Sequence, residues 1–153
     1  LQEIPGMIAE AAMGLDRLAM ILESAKTVFD TRALGSYTKN VADGPLAGTA
    51  DTRLTFKLAD HVRSFCCLVA EGANPGRSGR GQILRRLLKT CWSDLERGSS
   101  PPKSAITRAA EILHEHPEAT AGIDLQAHWS RVSEILQTEL AFIMAQRQKT
   151  PSS

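Results

Sequence analysis

A chain of 153 residues suits one domain with a single sizeable core, and 42% apolar against 23% charged residues excludes intrinsic disorder. Abundant Ala and Leu, with aromatics at only 5%, favour helix over sheet. A net charge of +1 excludes a strong overall field, and the three cysteines, Cys66, Cys67 and Cys91, exclude a disulfide framework or a paired metal knuckle.

In chain order, Pro5 and Gly6 break the start. Met7, Ala11, Leu15, Leu18, Leu22 and Ala25 then recur at steps of three and four, one apolar helical face. Gly14 inside this run predicts that the helix starts near it. Residues 35–52 are rich in Gly, Asp and Thr, contain Pro45, and read as a loop. Leu54, Leu58, Val62, Phe65 and Val69 predict a second helix, stopped at Gly72. The stretch 74–81 (Asn-Pro-Gly-Arg-Ser-Gly-Arg-Gly) predicts a tight turn. A third helix over 82–97 follows, with Leu84, Leu87, Leu88, Cys91 and Leu95 inward. A shorter helix is expected over 103–116. After an N-cap at Asp124, a long last helix carries Leu125, Trp129, Val132, Leu136, Leu140 and Ile143.

Charge is unevenly spread. Residues 53–97 hold 9 basic and 4 acidic side chains, against 4 and 7 before them and 5 and 6 after. A local basic surface attracts phosphate even when the total is near neutral. Arg77 and Arg80 bracket the start of the third helix, where free backbone N–H groups favour an anion. Arg85 and Lys89 are i,i+4 neighbours, so both can follow one nucleic-acid backbone groove. Asp60 and Arg63, three apart, are expected to pair. His61 reads as a structural histidine or a nucleic-acid contact. His114 and His116, two apart, diverge on a helix, so no metal site is expected there. Trp92 and Trp129 are expected in the core. Cys66 and Cys67 lie among apolar residues and predict buried thiols in a reducing compartment such as the cytoplasm. No apolar stretch reaches the length of a membrane span, so no membrane partner is expected.

The central motifs carry a resemblance. Ala59-Asp60-His61-Val62-Arg63, then Gly79-Arg80-Gly81-Gln82-Ile83-Leu84-Arg85-Arg86, resembles the A-D-H-I-R and G-R-G-Y-V-L-R-R blocks of alanyl-tRNA synthetases. Upstream, Ala12-Met13-Gly14-Leu15-Asp16-Arg17-Leu18 looks like the family's G-M-G-L-E-R-L, the third class II motif. Thr27-Val28-Phe29-Asp30-Thr31 is similar to its S-N-Y-D-T. Downstream, Ile135 to Phe142 looks like a family helix with paired acids and a Phe. The order is kept from about residue 12 to 142. The chain departs at Ala12 and Asp16, where the family has Gly and Glu. Its turn reads Pro-Gly-Arg for Pro-Ser-Asn, so Arg77 occupies the place of the Asn that reads a G·U pair; this turn is more like the mitochondrial branch. Lys89-Thr90-Cys91 stands where the family often repeats arginines.

The resemblance implies an all-α domain of about five helices, like the middle tRNA-recognition region of that family. Residues 1–34 would be the remnant of the third motif and its helix, 35–52 a loop, and 53–149 the tRNA-binding domain. It implies tRNA, specifically alanine tRNA, as partner, bound by Arg77, Arg80, Arg85, Arg86 and Lys89. Arg17 would be a remnant ATP contact. The first two class II motifs and the editing domain with its metal-binding histidines find no match in these residues. No catalytic residue, metal or cofactor is therefore expected here, and ATP and magnesium are implied only for the full-length enzyme. A catalytic synthetase chain is a further implied partner. Two other readings remain open: a stand-alone adaptor presenting charged tRNA, and a helical scaffold that has lost RNA binding.

Overall fold

The computed structural model describes residues 14–149. Six α-helices run through them: α1 (Leu15–Leu22), α2 (Gly35–Asp43), α3 (Thr52–Ala70), α4 (Gly79–Arg97), α5 (Pro102–His114) and α6 (Leu125–Lys149). Single 3-10 turns lie at Val28–Asp30 and Pro117–Thr120. No strand occurs among the described residues, and the domain is all-α.

The helix with the strongest apolar period became the centre. Leu58, Val62, Phe65, Cys66 and Val69 repeat at three- and four-residue steps on α3, and all are fully buried. α3 packs against α2, α4, α5 and α6 at once. Leu84, Leu88, Cys91 and Leu95 of α4, Ile106, Ala109, Ala110 and Leu113 of α5, and Val132, Leu136, Leu140 and Ile143 of α6 complete one continuous core. No helix of the described residues is long and apolar enough to cross a membrane.

Local chemistry sets the helix ends. Asp51 caps α3, its Oδ1 accepting from Leu54 N–H at 3.1 Å. Asp124 caps α6 as expected, accepting from Ala127 N–H at 3.0 Å. Pro102 opens α5 in its first turn, where a missing N–H costs nothing. α4 starts at Gly79, earlier than the spacing suggested, because Gly79 takes the left-handed φ of +55° that turns the chain into the helix. Two residues on, Gly81 lies so close to the turn that a Cβ would sit 2.5 Å from Gly76 N. Arg131 of α6 ties this turn down, donating to Asn74 Oδ1 at 2.8 Å.

Three expectations fail. The stretch 35–52 is not all loop: Gly35–Asp43 is helical. Leu34, Tyr37 and Val41 repeat at three and four, and all are buried, an apolar face hidden among polar residues. Tyr37 donates its hydroxyl to Ala59 O at 3.1 Å, tying α2 to α3. Asp60 and Arg63 do not pair as predicted. Asp60 is exposed, while Arg63 turns inward and makes a bidentate pair with Asp16 at 3.0 and 3.3 Å. The Arg63 Nε–H also donates to Ala119 O. One guanidinium thus joins α1, α3 and the 117–120 turn.

α1 itself buries nothing. Leu15 is 64% exposed and Leu22 76%, so the predicted apolar stripe is not a core face within the described residues. Met7 and Ala11, which the same stripe included, lie outside the described residues.

Candidate nucleic-acid interface

The inward face of α4 is spent on the core, so its remaining polar residues point out. At about 100° per residue, Gln82, Arg86, Lys89, Ser93 and Arg97 share one outer strip, with Arg85 at its edge. This strip forms one wall of a groove of about 720 Å³. Phe142 and Gln146 of α6 form the other wall; Lys57 of α3 and the turn at Gly76-Arg77 close the ends. Arg77, Arg85, Arg86 and Lys89 are therefore brought together. Arg80 is not: six residues before Arg86, it points about 120° away around the helix, exposed and outside the groove.

The cations are in different states. Arg85 is held by Glu139 of α6 through two parallel bonds, Nε to Oε2 and Nη2 to Oε1, each 3.0 Å. This fork is the strong, geometrically specific form of the interaction. Those bonds raise the Arg85 pKa above its ordinary value. The guanidinium also lies over the Phe142 ring, 5.2 Å from its centroid. Lys57 and Arg97 both pair with Asp94. Burial works to raise the Asp94 carboxyl's pKa, but hydrogen bonds from both cations outweigh it and hold it below its ordinary value. Arg77, Arg86 and Lys89 are exposed and make no ion pair among the described residues.

Sequence reasoning missed Lys57, Arg97, Glu139 and Phe142. They come from three helices, and no local spacing joins Arg85 to a partner 54 residues away. Arg17 stands exposed on α1. Residues 14–22 hold no other cation, so one guanidinium on an open helix does not fit an ATP site by itself.

The other titratable candidates lie outside the groove. His61 is half-buried with Nδ1 lacking a hydrogen-bond partner; burial lowers its pKa, Lys57 adds to that, and Asp60 and Asp94 oppose it. His114 stacks on the half-buried Trp129, ring centroids 4.4 Å apart. His116 Nδ1 meets Ile112 O at 2.8 Å and Nε2 meets Asn40 Nδ2 at 3.1 Å, so both ring nitrogens are occupied. Trp92 is buried in the core. Cys66 and Cys91 are free and buried, and burial pushes both thiols up, Cys91 to about 12.

Comparison with known proteins gives these features a family. Residues 1–142 match the family model of class II (A) tRNA synthetases. The alanine–tRNA ligase of Thermobifida fusca is 30% identical over 91% of this chain and 16% of its own length. That of Streptococcus thermophilus is 36% identical over 58% of the chain and 10% of its own length. That of Desulforamulus reducens is 39% identical over 52% and 10%. The chain thus spans about a sixth or less of the relatives it matches. With the motif order kept on an all-α core, this chain belongs to the alanyl-tRNA synthetase family of class II.

Proposed function

We propose that this chain holds the acceptor stem of a tRNA, the alanine tRNA foremost, by gripping its phosphates along the α4 groove. The observation that carries the reading is the set of three outward cations without internal partners, Arg77, Arg86 and Lys89, beside an Arg85 whose orientation is already fixed. Exposed guanidinium and ammonium groups at helical spacing suit a polyanionic backbone. Contributing to alanine ligation would require the ATP- and magnesium-dependent catalytic half of the family, from outside these residues. The setting would be a reducing compartment, the cytoplasm or the mitochondrial matrix.

A titration of acceptor-stem RNA at several salt concentrations tests this. Arg86→Ala with Lys89→Ala should weaken binding and lower the salt slope by about 2, about 1 per phosphate contact. Arg80→Ala, off the groove, should leave the slope unchanged. Equal loss from Arg80→Ala would move the surface elsewhere.

One observation favours a second reading, a scaffold that has lost RNA binding. Of the six cations lining the groove, Lys57, Arg85 and Arg97 are neutralised by internal carboxylates. No measurable affinity at low salt would decide for the scaffold.

A further inference from the structure

Phe142 is the one large apolar side chain lining the α4 groove, and it is 42% exposed there. Its neighbours along the groove are cationic or polar. It takes no part in the core, which on α6 runs through Val132, Leu136, Leu140 and Ile143. The ring lies outside the buried core, in a groove lined by four arginines.

The ring is nevertheless carefully set. Arg85 lies over it, 5.2 Å from the centroid, and Glu139 fixes the Arg85 plane by its two hydrogen bonds. Glu139 is itself buried, and sits three residues before Phe142 on the same helix face. Carboxylate, guanidinium and ring are thus linked in series. Arg86 and Lys89 lie on the facing α4 wall of the groove and make no ion pair among the described residues. A flat π surface beside unpaired cations is the arrangement that takes single-stranded nucleic acid, bases stacking while the backbone is neutralised. An apolar peptide would find only one apolar side chain here, and a continuous duplex presents no free base face.

Resting on the RNA-binding reading above, we infer that Phe142, set by Arg85 and Glu139, is a stacking platform for an unpaired nucleobase of the bound RNA. The groove then distinguishes an RNA with a single-stranded extension from a blunt duplex. Glu139 is a positioning residue.

The test uses the full chain and two acceptor-stem hairpins, one blunt and one with a single-stranded 3′ extension carrying 2-aminopurine. The parent should bind the extended hairpin about tenfold more tightly, in line with the stacking of one base, and quench its fluorescence. Phe142→Leu should abolish both the preference and the quenching. Phe142→Trp should keep both. Equal parent affinity for the two hairpins without quenching would overturn the platform while leaving phosphate binding intact. A preference that survives in Phe142→Leu would do the same. Binding of neither hairpin at low salt would overturn the RNA-binding reading and the platform with it. The quenching in the parent is read whether or not a variant folds.

Discussion

α1 and α4 carry the same kind of pattern, apolar residues at three- and four-residue steps beside charged ones. On α4 that stripe is buried in the core and the cations are turned outward. On α1 nothing is buried, and the helix is held chiefly by the Asp16–Arg63 pair. The difference teaches that amphipathicity states a capacity to pack and not a partner. α4 lies between α3 and α5, which supply matching faces. The apolar side of α1 meets no such face among the described residues.

The sharpest way to break this contrast is to truncate one apolar side chain from each side of it. Leu88→Ala, in the buried stripe of α4, should destabilise by about 2–5 kcal/mol, transfer and cavity terms together. Leu22→Ala on α1 should change stability by no more than about 0.5 kcal/mol. Urea denaturation of both variants checks this; a large loss from Leu22→Ala would mean that α1 is packed after all.

A middle case is α2, short and polar in composition but docked by few groups. Tyr37→Phe removes the bond to Ala59 O and should cost about 1 kcal/mol. A neutral result in the same urea titration would mean that α2 depends on Val41 and Leu34 alone.

The smallest expected effect is electrostatic and concerns His61. Its folded pKa lies below the ordinary 6.5, so the unfolded chain takes up this proton first as pH falls. The contribution is full above about pH 6.5 and is lost as pH drops through the folded value. The parent should therefore lose more stability between pH 7.5 and 5.5 than His61→Leu does. Parallel pH dependences would show that His61 is no more shielded in the fold than in the unfolded chain.

The long helices α3 to α6 were legible because their signal is local. Each apolar step, capping aspartate and terminal glycine acts within a few residues, whatever the rest of the chain does. The Gly79-Arg80-Gly81 turn was legible for the same reason, since only glycine fits where Gly81 touches Gly76. α2 was not legible, because the buried Leu34, Tyr37 and Val41 outweigh the loop propensity of Gly, Thr and Asp only once α3 is present to receive them.

By itself, the sequence determined the helical class, the family motifs and the presence of a basic block after a glycine turn. Only the tertiary structure decided which of those cations are free: Arg85 taken by Glu139, Lys57 and Arg97 by Asp94, Arg63 by Asp16, with Arg77, Arg86 and Lys89 left outward. The physical reason is range. Periodicity is a property of neighbours along the chain, whereas an ion pair depends on two groups meeting in space, here from helices up to 54 residues apart.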